Sequence, residues 1–542
     1  MSAKPQKVFL YDTTLRDGAQ GEGISFSDTA KVRFARLLDE FGIDYIEGGF
    51  AGSNPRDRKF FEDIRRERLG HARVTAFGST RRVNLDAARD PQLAGLLAAD
   101  TEWVTIYGKA WLLHVRDVLR TTGPQNLQMI ADTVGHLRQC GRHVFFDAEH
   151  FFDGYKDDPA YALQALGAAA REGAAAIVLC DTNGGTLPHE IFTITGAVCA
   201  AFPGVEIGIH THNDSGLAVA AALEGVRGGA RQVQGSVNGY GERAGNANLI
   251  SILPALELKL GYACVGPERM QKLCDVSRIT DDLANQRPDP KQPYVGRSAF
   301  SHKAGAHVNA IQKNPRTFEH ITPEAVGNSR HVLVSELSGV ANVQIKAAEL
   351  GIDLTALDKS QVREILNEIK GHENKGYSYE SADGSFKILL QKVLNTHKPF
   401  FELEGFRVII EKRGSGEPCL SEATVKVKVR GETELTAGEG SGPVDALNAA
   451  LRQALTRFYP EIDQITLTDY RVRILDPQEA TRAVTRVLIE SGDGTRQWGT
   501  VGVSENIIEA SWQALLDSVE YKLYEDRAVR TPPAPAGEGE NV

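Results

Sequence analysis

The segment KVFLYDTTL (7–15) opens a series of eight short runs that are apolar, rich in β-branched residues and separated by amphipathic stretches. The runs are KVFLYDTTL (7–15), YIEGGF (45–50), RVTAFGS (73–79), EWVTIYG (102–108), HVFFDAEH (143–150), AAIVLCDT (175–182), EIGIHTHN (206–213) and QVQGSVNGYG (232–241). The intervening stretch 28–41 has helical periodicity, and Ser25 with Asp28 is a candidate capping box before it. Eight strand–helix units predict a (β/α)8 TIM barrel, an α/β fold, with a doubly wound open sheet as the structural alternative.

Unusual polar residues follow these runs at their carboxyl ends. They are Arg16, Asp17, Glu47, Glu149, Thr182, His210, His212 and Asn246. Catalytic groups of barrels come from this rim and from several strands at once. The distribution therefore favours the barrel and predicts a catalytic centre at the rim.

Composition excludes several classes of protein. The formal net charge of the 542 residues is −10, and no basic stripe with interleaved aromatics appears, so we expect no nucleic-acid partner. The N-terminus has no apolar signal core and no run of about 18 apolar residues exists, so we expect neither a targeting segment nor a membrane span. Six scattered cysteines without a C-x-x-C pair favour reduced thiols in the cytoplasm.

The pattern changes after about residue 275. We predict a catalytic barrel domain over 1–275, linker subdomains over 276–400, a regulatory domain over 401–528 that senses amino acids and mediates dimerisation, and a disordered tail over 529–542. The regulatory domain contains two similar strand–helix units, and we read 438–442 and 499–504 as small-residue turns with exposed amides. Each unit ends in a helix with an apolar stripe: Val444, Leu447, Leu451 and Leu455, then Ile508, Trp512, Leu515 and Val519.

His210-Thr211-His212 is the sharpest chemical signal in the chain. Residues i and i+2 of a strand share a face, so the two imidazoles form a metal half-site, although many H-x-H pairs are only surface or core histidines. A barrel would bring Asp17 near them. Two histidines and a carboxylate leave open positions on a divalent cation, where a 2-oxo acid could chelate and be polarised.

Other rim residues complete the candidate site. Arg16 offers a planar donor fork for a carboxylate or enolate oxygen, and Gln20 could supply a further donor. Glu47 follows an apolar run and needs a partner, for which we expect Arg16; a structural salt bridge is the alternative for both Glu47 and Glu149. The glycine-rich loop GYGERAGNANL carries Asn246 over the metal.

Three separated motifs carry a family resemblance. DTTLRDGAQ (12–20), IHTHNDSGLAVA (209–220) and GERAGNANL (241–249) resemble the signatures of the isopropylmalate, homocitrate and citramalate synthase family of metal-dependent barrel acyltransferases. IEGGFAGSNPRD (46–57), FDAEHFFDGYKDD (146–158) and SHKAGAHVNAI (301–311) are most similar to the citramalate-forming branch. With the later segments, the resemblance covers nearly the whole chain.

The resemblance implies roles for individual residues. Asp17, His210 and His212 match the metal ligands and Asn246 a fourth position near the metal. Arg16 matches the arginine that binds the 2-oxo acid, Thr182 a threonine on its carboxylate, and Glu149 an acidic catalytic residue; Gln20 and Glu47 join the substrate-binding set. His307 matches a histidine that the linker supplies, commonly from the partner subunit, which implies a homodimer.

The resemblance also implies the reaction. Acetyl-CoA would condense with pyruvate to give (R)-citramalate and CoA, with His307, supported by Glu149, as the base. Mn²⁺ or Mg²⁺ is favoured as cofactor, with Zn²⁺ or Co²⁺ compatible, and isoleucine is the implied feedback inhibitor. The alternatives are an isopropylmalate or homocitrate synthase, a related acyl-CoA lyase and a non-catalytic amino-acid sensor.

One position departs from the family. A tyrosine is expected shortly after the linker histidine, but this chain has Phe318 there, or Thr317 if the alignment is shifted by one residue. Either way the tyrosyl hydroxyl is missing, and no role is carried over to this position.

Overall fold

The computed structural model describes residues 5–52, 54–332, 340–354, 357–475 and 483–530. These residues form two compact units, the first ending at Phe300 but including His320–Arg330, and the second comprising Ser301–Glu319 and the residues from His331 onward. The predicted tail lies outside the described residues except for its first two positions, which end a helix.

Eight parallel strands form a closed barrel in the first unit, as the sequence predicts, and the open-sheet alternative is wrong. The strands are β1 (Phe9–Asp12), β2 (Tyr45–Phe50), β3 (Arg73–Ser79), β4 (Trp103–Lys109), β5 (His143–Glu149), β6 (Ala176–Asp181), β7 (Glu206–Thr211) and β8 (Gln232–Gly235). Each strand pairs with the next, and β1 pairs in parallel with β8 over the register from Phe9↔Gln232 to Asp12↔Gly235. Closure leaves no free edge, so all strand ends of one polarity share one rim.

Helices surround the barrel. They are α1 (Asp28–Phe41), α2 (Pro55–Ile64), α3 (Pro91–Ala98), α4 (Leu112–Asp117), α5 (Gly123–Gln139), α6 (Phe151–Asp157), α7 (Pro159–Arg171), α8 (Pro188–Ala201), α9 (Ala218–Gly228), α10 (Leu249–Pro254), α11 (Pro267–Met270) and α12 (Leu273–Leu283). Their apolar faces pack with the strands in one large core. The cap of α1 is Ser27, whose hydroxyl accepts from the Ala30 amide, and not Ser25 as the sequence suggests, because the first helical turn begins at Asp28.

The second unit begins with short elements and ends in two similar antiparallel sheets. Its elements are β9 (Ser301–His302), α13 (Gly305–Lys313), β10 (His331–Val332), α14 (Val340–Glu349), α15 (Lys359–Asn374), α16 (Asp383–Val393), β11 (Glu402–Glu411), β12 (Leu420–Val429), β13 (Glu432–Gly440), α17 (Pro443–Thr456), β14 (Thr466–Ile474), β15 (Thr485–Gly492), β16 (Gln497–Ser504) and α18 (Ile507–Arg530). Strands β11–β13 precede α17 and strands β14–β16 precede α18, which confirms the predicted duplication. Both predicted apolar stripes enter one shared core.

The two predicted small-residue turns are wrong for the most part. Gly438 and Gly440 lie in β13, and residues 499–504 all lie in β16. These glycines are needed for close packing: a Cβ on Gly438 would lie 2.5 Å from the backbone nitrogen of Ala450 in α17, and one on Gly502 would lie 1.9 Å from the carbonyl oxygen of Ala510 in α18. Their small size therefore lets each helix approach its own sheet, and their amides belong to strands.

Helix α16 packs against the second sheet and its helix, within the same unit. The Ser385 hydroxyl on α16 donates to Asp517 of α18 over 2.5 Å and accepts from the Val501 amide of β16 over 2.9 Å. A chain cut near residue 400 would therefore expose the buried face of α16. In the described parts of the chain, no helix has the length and apolar character needed to cross a membrane.

Candidate active site at the rim of the barrel

Asp17, His210 and His212 converge at the rim, where His210 and His212 stand at the end of β7 and Asp17 in the turn after β1. Carboxylate oxygen Oδ2 of Asp17 lies 3.5 Å from Nε2 of His210 and 3.7 Å from Nε2 of His212, and all three residues are buried. Their ligand atoms lie within 4.8 Å of one another, the only such group of three or more among the described residues.

Electrostatics put these groups in the protonation states that a cation requires. Burial would raise the pKa of Asp17, but Arg16 and the two histidines outweigh it and hold that pKa below its ordinary value. Burial lowers the pKa of His210, and burial together with the neighbouring His210 lowers the pKa of His212 to about 4. An ionised carboxylate and two neutral imidazoles are the forms that ligate divalent metals.

Asn246 adds a fourth donor. Its Nδ2 donates to Oδ2 of Asp17 over 2.9 Å, and residue 246 pairs with His212 in an isolated β-bridge. Among the described residues, no hydrogen-bond donor reaches the buried Oδ1 of Asn246. Because an orphaned buried carbonyl is costly, an oxygen ligand for a cation is a fitting role, and the four residues fit a divalent metal.

The loop that carries Asn246 is held by close contacts. Gly241 has φ +155°, and a Cβ there would lie 2.0 Å from Oδ1 of Asn246. The Tyr240 hydroxyl donates to Asp281 of α12, which anchors the loop to the outer layer. Arg243 of the same loop donates to Asp214 over 2.6 Å. Glycine in this loop thus allows the loop backbone and the side-chain amide oxygen of Asn246 to lie close together.

Arg16 is fixed on three sides. Its Nε donates to Oε2 of Glu47 over 2.6 Å, its Nη1 lies 3.4 Å from Oδ2 of Asp17, and its guanidinium lies 3.8 Å from the ring centroid of Phe77. Stacking on an aromatic face and a carboxylate contact orient the planar fork. The predicted Arg16–Glu47 pairing is present.

Glu47, predicted among the substrate-binding residues, is fully buried behind Arg16 and is not among the residues that line the cavity. Its Oε1 accepts from the Tyr11 hydroxyl over 2.8 Å, and that hydroxyl also contacts the hydroxyls of Thr75 and Thr105 at 2.8 and 2.6 Å. Burial raises the pKa of Glu47, opposed by Arg16 and Tyr11. Its position is that of a residue that orients Arg16.

A cavity of about 240 Å³ joins these groups. It is lined by Arg16, Asp17, Gln20, Phe50, Phe77, Tyr107, Asp147, Glu149, Cys180, Thr182, His210, His212, Glu242 and Arg243. The cavity has a polar end, at Asp17, His210 and His212, and an aromatic wall. In this wall the ring of Phe77 stacks on that of Tyr107 with centroids 5.6 Å apart and meets that of Phe50 edge-on at 5.7 Å. A small anion with a short apolar group matches this lining.

The side chains of Thr182 and Glu149 are each held by a neighbouring residue. The His150 amide donates to Oγ1 of Thr182 over 2.8 Å, so the hydroxyl proton of Thr182 is left for another acceptor. Lys109 forms a short ion pair with Glu149, its register partner on β4. Gln20 is exposed at the cavity mouth.

His307 lies in the second unit. It is exposed on α13, and its ring stacks on that of Phe318 with centroids 4.1 Å apart. Of the two positions considered for the missing tyrosine, Phe318 is thus the one that contacts the histidine ring. The catalytic role of His307 stays a prediction.

Several residues at the site were missed by sequence reasoning. They are Tyr11, Phe77, Tyr107, Lys109, Asp147, Gln234 and Arg243. Asp147 could have been found, because it stands two residues before Glu149 on β5 and therefore shares its face. Burial and the charge of Glu47 raise the pKa of Asp147 well above its ordinary value, with Arg16 opposing.

Known families match the chain in three consecutive parts. The family described as HMGL-like matches residues 7–281, the homocitrate synthase post-HMGL domain-like family matches 294–376, and the LeuA allosteric (dimerisation) domain matches 380–523. The first match covers the barrel with all the candidate site residues except His307.

Whole-length relatives are more specific. The chain is 52% identical to the (R)-citramalate synthase of Geobacter sulfurreducens over 96% of this chain and 98% of that one, and 50% identical to that of Aquifex aeolicus over the same shares. A probable 2-isopropylmalate synthase of Methanopyrus kandleri is 31% identical over 95% of this chain and 98% of its own length. The identity to the two (R)-citramalate synthases is much higher than that to the 2-isopropylmalate synthase over a similar length. The chain therefore belongs to the (R)-citramalate synthase family of acyltransferases.

Proposed function

We propose that this chain condenses acetyl-CoA with pyruvate, giving (R)-citramalate and CoA. The observation that carries the proposal is the convergence of Arg16 with Asp17, His210 and His212 on one small cavity, in a chain of this family. The isopropylmalate and homocitrate alternatives need room for larger side chains, and the stacked rings of Phe77 and Tyr107 form the wall of the cavity against which such a side chain would have to fit.

Asp17, His210, His212 and Oδ1 of Asn246 would hold the divalent cation, for which Mn²⁺ or Mg²⁺ is favoured and Zn²⁺ or Co²⁺ is compatible. When bound, such a cation supplies Lewis-acid polarisation of the 2-oxo acid's ketone. The chain's own residues bind and orient the substrate.

Arg16 is placed to bind the 2-oxo acid and the negative charge that develops on its ketone oxygen. Glu47 and Phe77 keep the guanidinium in that orientation, so less ordering is needed when substrate enters. The Thr182 hydroxyl, whose oxygen already accepts from the His150 amide, can donate its proton to the substrate carboxylate. Gln20 supplies a further donor at the cavity mouth.

A base must remove a proton from the acetyl methyl group, and we assign this to His307 supported by Glu149. The resulting carbon nucleophile forms a bond to the ketone carbon of pyruvate, and the alkoxide takes up a proton. Water then cleaves the thioester of the citramalyl-CoA, releasing CoA and the free acid. Lys109, paired with Glu149, keeps that carboxylate in place.

A homodimer and isoleucine feedback complete the proposal. The LeuA-type domain leaves apolar side chains of its first strands exposed: Ile410 and Ile474, at the ends of β11 and β14, are 56% and 53% exposed. A second copy would cover such edges. Since the amides at 499–504 belong to β16, the amino-acid site is not assigned to them. The six cysteines are free thiols, which agrees with a cytoplasmic setting.

We expect pyruvate to give the highest kcat/KM among pyruvate, 2-oxobutyrate, 2-oxoisovalerate and 2-oxoglutarate, measured by release of CoA thiol from acetyl-CoA. Phe77→Ala should raise the ratio of 2-oxoisovalerate to pyruvate kcat/KM by ~10-fold or more, the usual scale for a methylene in an apolar pocket. The ratio cancels any common loss from disturbing Arg16. A wild-type preference for a larger acid would contradict the proposed substrate and leave the chemistry intact.

We expect His210→Ala and Asp17→Ala to lose both the metal and turnover, because too few ligands remain. The loss should exceed the ~10–100-fold that removal of an outer partner costs. Metal content by mass spectrometry and turnover after chelator treatment and metal readdition provide the measurement. His189→Ala, on the exposed face of α8, is the matched control and should behave as wild type. Near-full turnover in either ligand variant would mean that the metal lies elsewhere.

We expect His307→Ala to fold normally but to lose at least ~10²-fold in kcat, the lower scale for general acid–base catalysis. Circular dichroism and steady-state kinetics provide the two readouts. Since His307 is exposed and, in the described part of the chain, its ring stacks only on Phe318, its loss should cost little stability. Unchanged kcat would leave His307 as a structural residue of the linker.

We expect isoleucine to inhibit the full-length enzyme more than leucine does. Coupling of ~1–3 kcal/mol between effector and active site is typical of such regulation. Titration calorimetry and inhibition assays should both use the whole chain, because truncation near residue 400 removes the packing partners of α16. Absence of any amino-acid binding would reduce the domain to dimerisation.

A further inference from the structure

Gln234 stands between a proposed metal ligand and a buried carboxyl group, and the mechanism above does not use it. It lies in β8, opposite His210 of β7 in the register, and its side chain is fully buried. A buried amide in a barrel interior needs partners for both of its ends. Both the nitrogen and the oxygen of the Gln234 amide have a hydrogen-bond partner.

The two hydrogen bonds of Gln234 define the direction of its amide. Nε2 donates to Oδ1 of Asp147 over 3.1 Å, and Oε1 lies 3.0 Å from Nδ1 of His210. Nε2 is a donor only, and a carboxyl oxygen accepts it. Oδ1 of Asp147 can accept this bond whether or not the carboxyl group is ionised, so the orientation in which Oε1 faces His210 satisfies both ends of the amide.

That orientation sets the tautomer of His210. An amide oxygen only accepts, so Nδ1 must carry the imidazole proton and Nε2 keeps its lone pair. Nε2 is the atom that faces Oδ2 of Asp17, 3.5 Å away, where the cation would lie. Histidine ligands of metals generally donate their other N–H to such an outer partner.

His212 has the opposite environment. Its Nδ1 lies 3.2 Å from Nη2 of Arg243, and a guanidinium has donors only. This contact favours the tautomer with the proton on Nε2, the atom that faces Asp17 at 3.7 Å. The two histidines of the site therefore favour different tautomers, with the proton on Nδ1 in His210 and on Nε2 in His212. Gln234 is the residue that sets the tautomer of His210.

We propose that Asp147 and Gln234 form a positioning pair that fixes His210 with its proton on Nδ1 and so presets Nε2 as the stronger ligand of the divalent metal. The inference rests on the proposed metal site. It assigns to Asp147, a cavity-lining carboxyl group, a role that acts through Gln234 and does not require contact with substrate.

The test measures Mn²⁺ affinity of the full-length chain by titration calorimetry, with the bound Mn²⁺ also followed by electron paramagnetic resonance. Gln234→Leu and Asp147→Leu, which removes the acceptor, should each weaken binding by ~10–100-fold, the range for outer partners of metal-binding histidines. In Gln234→Leu/Asp147→Leu, the second change should add little, because Asp147 acts through the amide. NMR spectra of the ¹⁵N-histidine-labelled, metal-free protein should contain the signal of one histidine with its proton on Nδ1 that is lost in Gln234→Leu.

Gln232→Leu is the matched control, because Gln232 lies in the same strand and is equally buried, but its amide makes no hydrogen bond within the described part of the chain. This change should leave Mn²⁺ affinity unchanged. Equal weakening in Gln232→Leu and Gln234→Leu, or additive effects in the double variant, would overturn the positioning pair. If wild type binds no Mn²⁺, or binds it equally after His210→Ala, the metal site itself is wrong. Tight wild-type binding that Gln234→Leu leaves unchanged refutes only the present inference.

Discussion

Pairing of the first barrel strand with the last is the constraint on which the site depends. The register Phe9↔Gln232 to Asp12↔Gly235 closes the sheet and places β1 beside β8, with β7 next to it. The turn after β1 then lies next to the end of β7, which brings Asp17 to His210 and His212. In an open sheet the first and last strands would be far apart, and no such cluster would form.

Closure also concentrates charge in a largely buried space, and the polar residues compensate one another there. Arg16 is bonded to Glu47, Glu47 to Tyr11, and Asn246 to Asp17. A buried ion pair is a modest source of stability, but removal of one partner leaves an uncompensated charge and is strongly destabilising. The network therefore keeps Arg16 oriented, which is how residues that never meet a substrate support the site.

Glycine is required for different physical reasons in different parts of the chain. Gly241 is required by its backbone conformation and by the approach of Asn246, as its motif suggests. Gly438 and Gly502 look similar in sequence but lie in strands, where each lets a helix backbone approach the sheet. A glycine in the sequence can indicate a position with little room for a side chain. Which element packs against that position depends on the tertiary structure.

The sequence by itself determined the eight strands, the rim position of Asp17, His210 and His212, and the duplicated C-terminal units, because the periodicity of apolar residues is local and the carboxyl ends of parallel strands share one edge. It also indicated the Arg16–Glu47 pair, since a strand-end carboxylate after an apolar run needs a cation. Only the tertiary structure decided that Glu47 stands behind the cavity, that Phe77 covers Arg16, and that Gln234 joins Asp147 to His210. These contacts link residues distant in sequence, and they depend on strand register and side-chain direction inside the closed barrel, which no local pattern encodes.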